Sequence, residues 1–370
     1  MSNEEFDEFL MWASDCGASD ILIHSGEKLA IILNDEVVIV GNRSIAHHEL
    51  IDFLKDIDLP AIEAVIKKGK ARDFPYMVQR EDDINADQAV RYRVCVTGEK
   101  SGIEAVFRTI PTIPPTCEML NVEQTIIDAS KAEFGLVLIT GPTGSGKSTL
   151  NAALLGDIAV KEAKHIITYE APIEFDLKAI KNKKARIAQT QIPDHIEDFP
   201  SGVANALRRK PHIILIGEAR DKETIAGCVT ASQTGHLVYS TVHTNSVAMT
   251  ISRMVDEFPA EERKAMSAKL IDAMRLIIHQ RLIKKSGGGL VAIKEYLVFT
   301  DSIRKRALEH LANPNVNDIG LFLRDCVEKE GHSLMSDIHK KYKQDLINET
   351  TYEALKFELG GVKDNDNQKG

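Results

Sequence analysis

The chain has 370 residues, 43% of them hydrophobic and 27% charged, with a formal net charge of −9. That length suggests two domains, each able to bury its own core, in a protein of soluble globular composition. The acidic balance argues against nucleic acid coating the whole surface, five scattered cysteines without a C-x-x-C pair argue against a disulfide framework or structural zinc, and no apolar run reaches bilayer length.

Taken in chain order, the start (Met-Ser-Asn-Glu-Glu-Phe) lacks the basic and apolar regions of a signal peptide, so a reduced cytoplasm is the expected compartment. Phe6, Phe9, Leu10 and Ala13 share one face of an amphipathic helix over 4–15 that Gly17 stops. Short strands are expected near 20–24, 28–33 and 36–40, with Asn34-Asp35 as a turn, then helices near 47–56 and 60–68. Strands near 73–78, 89–97 and 103–109 complete an α+β module over 1–110. Three prolines within 111–115 cannot sit in a helix or a central strand, so 111–123 reads as a semi-rigid linker.

From 124 to 359 the pattern alternates between strand and helix. Apolar strands at 136–140, 165–169, 213–217 and 237–242, separated by helical stretches, imply an α/β fold whose mostly parallel sheet is covered on both faces. The basic run Lys181 to Arg186 reads as a solvated loop, and Arg208-Arg209-Lys210 ends a predicted helix where cations suit the macrodipole. Met266, Leu270, Met274 and Ile277 have helical spacing and read as core. Gly287-Gly288-Gly289 joins two strand-like runs into a hairpin, residues 301–359 are helical, and 360–370 form a disordered tail.

The chemistry concentrates at strand ends. After the apolar run 136–140 come Gly141, Pro142, Thr143, Gly144, Ser145, Gly146, Lys147, Ser148 and Thr149, a phosphate loop in its strand–loop–helix context. Its glycines allow positive φ and let backbone N–H groups close on phosphates, Lys147 reaches the β/γ-phosphates, and Ser148 holds Mg²⁺. A strand ends at Tyr169-Glu170-Ala171-Pro172-Ile173-Glu174, leaving Glu170 and Glu174 at the carboxyl edge where α/β sheets keep ligands. Ile213 to Glu218 is an apolar strand ending in an acid, as a Walker B segment does, and an acid there reaches Mg²⁺ or its water shell. His243 ends another strand, beside the expected γ-phosphate. The plain alternatives are a surface Glu beyond a strand and a hydrogen-bonded core His.

These segments together resemble the secretion ATPase superfamily of type II and type IV systems. The carriers are Gly-Pro-Thr-Gly-Ser-Gly-Lys-Ser-Thr, Tyr-Glu-Ala-Pro-Ile-Glu-Phe, Ile-Ile-Leu-Ile-Gly-Glu-Ala-Arg-Asp and Thr-Gly-His-Leu-Val-Tyr-Ser-Thr-Val-His-Thr (234–244), within a likeness running from Gly17 to about Arg306. Within the superfamily the chain is most similar to the pilus-retraction and Dot-type branch. Pro114-Pro115-Thr116 and Asn205 to Pro211 lean toward the Dot-type side. The resemblance implies a hexameric ring ATPase using ATP and Mg²⁺, with a PAS-like N-terminal domain and a RecA-like P-loop domain. It further implies that Glu174 is the general base, Glu218 the Walker B acid, and His236 and His243 the histidine box. Partners would be a homohexamer and inner-membrane components of a secretion or conjugation complex, with membrane association only through them. Ala171 stands where retraction enzymes carry Asp, and Ser302 to Arg306 matches their Ala-Ile-Arg segment only in part. A nucleic-acid motor would need a basic channel with aromatic stacking, and aromatics are 5% of this acidic chain, so direct nucleic-acid binding is not expected.

One feature of the N-terminal module stands apart. Arg91 and Arg93 alternate with Val90, Tyr92, Val94 and Val96, and a turn centred on Lys100-Ser101 would set Arg93 directly across from Arg108. Two facing guanidiniums are unfavourable unless an anion or an acid sits with them. Arg93 and Arg108 are therefore candidates to reach a γ-phosphate bound by a neighbouring subunit, as arginines at matching places do in the family. Ordinary Arg–carboxylate pairing on a solvated strand face is the alternative.

Overall fold

The computed structural model describes residues 1–33, 36–69, 71–79, 89–110, 113–313 and 319–360. The expected Asn34-Asp35 turn, the linker's Pro111 and the tail beyond Gly360 lie outside the described residues. The chain divides into two compact units: Met1–Ile113 with Glu174–Ala179, and Pro114–Ile173 with Ile180–Gly370.

In the first unit, Ser2 and Glu5 form a capping box that starts α1 (Asn3–Asp15), which buries Phe6, Leu10 and Ala13. Three strands follow, β1 (Asp20–His24), β2 (Lys28–Leu33) and β3 (Glu36–Ser44). Helix α2 (His47–Lys68) is two segments broken at non-helical Asp58, whose carboxylate caps the second by accepting from Ala61 N at 2.9 Å. Then come β4 (Arg72–Val78), β5 (Val90–Glu99) and β6 (Gly102–Ile110). The sheet order is β3-β2-β1-β6-β5-β4 with every neighbouring pair antiparallel. Both helices seal one face over a core that includes Phe6, Leu10, Phe53, Tyr92 and Phe107. This is the expected α+β, PAS-like arrangement.

The second unit contains α3 (Gln124–Ala129), β7 (Gly135–Thr140), α4 (Lys147–Lys161), β8 (His165–Glu170) and β9 (Arg186–Gln191). It continues through α5 (Phe199–Ala206), β10 (Ile213–Ile216), α6 (Lys222–Gln233), β11 (Leu237–Val242), α7 (Thr250–Val255) and α8 (Ala260–Ala273). The hairpin β12 (Met274–Lys284) and β13 (Leu290–Val298) precedes α9 (Asp301–Ala312), α10 (Gly320–Glu330), α11 (Leu334–Lys343) and α12 (Glu349–Glu358). The sheet order is β13-β12-β7-β11-β10-β8-β9, parallel throughout except for the β12–β13 hairpin. Strands β7, β10 and β11 are buried at every residue, which is why they read as continuous apolar runs. The fold is the α/β, RecA-like P-loop architecture expected from the strand–helix alternation.

Two sequence expectations need correction. Met266 and Leu270 lie on α8, but that helix ends at Ala273, and Met274 and Ile277 belong to β12. All four side chains are buried, so the reading as core holds while the helical period was fortuitous. Strand β9 is absent from the sequence reading because Arg186-Ile-Ala-Gln-Thr-Gln is a polar edge strand with a weak apolar pattern.

Candidate active site

The phosphate loop connects β7 to α4. Gly141, Gly144 and Gly146 have φ of 145°, 77° and 80°, the region open to glycine. A Cβ on Gly141 would lie 2.2 Å from the Gln280 backbone oxygen and 2.7 Å from Ser145 Oγ, so strand and loop meet there without room for a methyl group. Gly146 is the N-cap of α4, placing the positive end of that helix at the loop. Pro142, Thr143 and Gly144 are exposed, while Ser148 and Thr149 sit half-buried in the first helical turn. Lys147 is buried, and its Nζ donates to the carbonyl oxygens of Gly141 and Pro142, each at 2.9 Å. Those bonds fold the ammonium over the loop.

Two neighbouring strand ends supply the next groups. Glu218 lies two residues beyond β10 and His243 directly beyond β11, and His243 Nε2 is 3.6 Å from Glu218 Oε1. The strand ends are tied by Thr241 Oγ1 donating to Gly217 O at 2.6 Å and Ala219 N donating to Thr241 O at 3.0 Å. Because β7, β11 and β10 are adjacent and parallel, the phosphate loop, His243 and Glu218 all stand at the carboxyl edge of one sheet. Glu170 ends β8 at the same edge and accepts from Thr168 Oγ1 and, at 3.2 Å, from Gln189 Nε2. His236 is elsewhere. It precedes β11, with Nδ1 3.0 Å from Ala231 O and 3.3 Å from Thr234 Oγ1. At about 3.3 Å per residue it is roughly 20 Å from His243, at the other end of the strand.

Among the described residues no group of three or more His, Cys, Asp or Glu side chains is arranged to hold a metal. Mg²⁺ prefers one or two protein oxygens, substrate phosphates and water to a protein cage, and Ser148 in the first turn of α4 and Glu218 beyond β10 each present a side-chain oxygen donor at this sheet edge. These are the oxygen donors the sequence assigned to Mg²⁺.

Glu174, Arg93 and Arg108 belong to the first unit. Arg93 and Arg108 face each other directly across β5 and β6, in the expected register with Lys100-Ser101 between paired Glu99 and Gly102. Each has an acid on the flanking strand: Arg93 Nη2 is 3.3 Å from Asp73 Oδ2, and Arg108 Nε donates to Asp20 Oδ1 at 2.7 Å. The repulsion is thus met within the sheet, while both arginine side chains remain exposed.

Sequence reasoning missed two residues that brace this edge. Consecutive positions of a strand point to opposite faces. On β12, Gln280 turns to the loop, donating from Nε2 to Ser145 O at 2.7 Å, while His279 Nδ1 lies 3.4 Å from Thr140 Oγ1. Burial, aided by the charge of Arg281, holds the His279 ring at a pKa of about 4 and so neutral. The polar triplet His279-Gln280-Arg281 between the apolar residues Leu276 to Ile278 and Leu282 was the available signal.

The type II/IV secretion system protein family matches residues 115–311. The chain is 37% identical over 297 residues to the type IV pilus retraction ATPase PilT of Pseudomonas aeruginosa, covering 80% of this chain and 83% of that one. In three dimensions it resembles the ATPase DotB of Legionella pneumophila, with a TM-score of 0.86, 36% identity and 96% of each chain covered. It also resembles the pilus retraction motor PilT solved with bound ADP, with a TM-score of 0.80, 28% identity and 94% and 96% coverage.

Proposed function

Since the chain belongs to the type II/IV secretion system protein family, we propose that it is an Mg²⁺-dependent ATPase acting as a hexameric ring to drive a Dot-type secretion or conjugation system. The observation that carries hydrolysis is the alignment of the phosphate loop, His243 and Glu218 at the ends of three adjacent parallel strands. On this reading, loop amides and the α4 N-terminus hold the triphosphate, and Lys147 leaves the Gly141 and Pro142 carbonyls for the β/γ-phosphates. Ser148 and Glu218 manage the metal, which neutralises charge developing on the phosphoryl oxygens. Glu174 orients and deprotonates water, and His243, beside Glu218, senses the γ-phosphate. Arg93 and Arg108 act on the nucleotide of a neighbouring protomer, where a cation supplied in trans is worth about 10³ or more in rate.

The Dot-type assignment is supported by likeness to DotB over nearly the whole chain, together with Ala171 and the partial match of Ser302 to Arg306. Pilus retraction is the second reading, favoured by 37% identity to PilT over 80% of the chain. Measuring mass and phosphate release together, with and without ATP, tests the proposal. Steady release that vanishes in Glu174→Gln and a ring-sized species support it, whereas a monomer that ignores millimolar ATP overturns it. Loss of secretion or transfer on deleting the gene, with surface motility intact, separates the Dot-type reading from retraction.

A further inference from the structure

The paired positions of neighbouring strands put Glu295 (β13), His279 (β12), Thr140 (β7) and Val242 (β11) in one row across the sheet. Register partners share a face, so Glu295, His279 and Thr140 form a polar line on the face otherwise occupied by Leu136, Leu138, Val238 and Ile277. The line meets the segment that follows β11. Glu295 Oε1 accepts from Val247 N at 2.6 Å. The segment is also closed on itself: Thr250 Oγ1 donates to Ser246 O at 3.0 Å and lies 3.1 Å from Thr244 Oγ1. Its first residue is His243, at 3.6 Å from Glu218.

A polar pair inside an apolar core needs a reason, because each unsatisfied group there costs about 1–3 kcal/mol. The reason offered by the geometry is positional. Thr140 is the last residue of β7 and Gly141 the first of the phosphate loop, so His279 touches the strand that launches the loop, while its ladder partner Glu295 holds the segment that presents His243. We propose that His279 and Glu295 are positioning residues that lock the 243–250 segment to the phosphate-loop strand, holding His243 against Glu218 so that the rate of ATP cleavage, rather than nucleotide affinity, depends on them. This rests on the ATPase reading of the same site, which it deepens.

Two sets of measurements test it. In steady-state hydrolysis, His279→Ala and Glu295→Ala are expected to lower kcat about tenfold, as a small misplacement of a catalytic side chain does, with affinity for a fluorescent ADP analogue unchanged within about twofold. His279→Asn, whose amide can take the place of Nδ1 beside Thr140, and Glu295→Gln, which keeps an acceptor for Val247 N, should regain most of the rate. In a His243→Ala background the loss from His279→Ala should disappear, since a positioning residue has nothing left to position. Unchanged kcat, a matching loss of affinity, or an undiminished loss in that background overturns the proposal. The second measurement is amide hydrogen exchange without nucleotide, where both alanine variants should exchange faster at 243–250 while α1 is unchanged. Wild-type protection at 243–250 refutes the lock. If the parent protein releases no phosphate, the ATPase reading fails by itself, and the exchange result still decides whether the lock exists.

Discussion

Replacing Gly141 by Ala should damage this protein far more than the same change at Gly144, three residues along the same loop. At Gly141 the added carbon would sit 2.2 Å from the Gln280 carbonyl oxygen, and that oxygen belongs to a strand paired on both sides near this point, with Thr140 next to His279 and with Lys294. Backbone in a ladder cannot swing away as a flexible side chain would, so loop and strand must separate. Forcing such an overlap costs about 1–3 kcal/mol. Holding Ala at a φ of 145° adds about 1–3 kcal/mol of backbone strain. The sum, about 2–6 kcal/mol, corresponds to a fall in melting temperature of roughly 5–20 °C for a unit of this size. At Gly144 a Cβ meets nothing within 4 Å, so only the cost of a φ of 77° remains, about 1 kcal/mol or a few degrees. Scanning calorimetry of the two variants beside the parent reads the difference directly. If Gly141→Ala and Gly144→Ala melt together, the close approach of β12 to the loop is not what Gly141 serves.

Three other outcomes are expected. Mixing Arg108→Ala protein with Lys147→Ala protein should restore phosphate release if the arginine acts across protomers, and no recovery at any ratio refutes action in trans. His279 is held neutral by burial to about pH 4 while the unfolded imidazole titrates near 6.5. The unfolded chain therefore binds the extra proton between these values, and stability should fall by up to about 3 kcal/mol as pH drops through that window. Burial raises the Glu295 pKa, which acts in the opposite sense, so the comparison is between parent and His279→Asn in urea titrations at pH 7 and pH 4.5; equal pH slopes refute it. Lys294 Nζ donates to Glu123 Oε2 at 2.8 Å, with both side chains nearly inaccessible. Lys294→Met leaves the nearly inaccessible Glu123 with the more distant Lys340 Nζ, 3.8 Å away, and should cost about 3 kcal/mol, part of which the added change Glu123→Leu restores, whereas a loss below about 1 kcal/mol by calorimetry refutes the pair's importance.

The sequence was most legible where a local signal and a local structure coincide. The phosphate loop, the apolar runs of β7, β10 and β11, the Gly287–Gly289 hairpin and the Arg93–Arg108 register needed only periodicity, turn chemistry and strand geometry. What stayed hidden depends on partners distant in the chain. The acids that neutralise the arginines, Asp20 and Asp73, come from strands whose neighbours are fixed only by the order of the whole sheet. Met274 and Ile277 fit a helical period because β12 is apolar on both faces and carries no alternation to announce a strand. His279 and Gln280 showed only as polar residues within that apolar strand, and what they do stayed hidden because it lies in which face each one takes.

That face is decided by a single residue. Met274 pairs with Leu136 and Leu276 with Val137, so Arg275 is an extra residue in β12 opposite β7. Arg275 lies against Phe134, and its Nη1 donates to the carbonyl oxygens of Asp272 and Met274, each at 3.0 Å, and of Ala273 at 3.3 Å. Without the bulge, pairing would advance by one, Ile278 would lie beside Thr140, and every later side chain of β12 would exchange faces. His279 would then point toward the loop and Gln280 into the core beneath the 243–250 segment. The phosphate loop would lose its bond to Ser145 O, and the row through Glu295 and Thr140 would lose its middle member. The geometry of the nucleotide edge therefore depends on a bulge at the far end of the strand, four residues before the first side chain that it orients there.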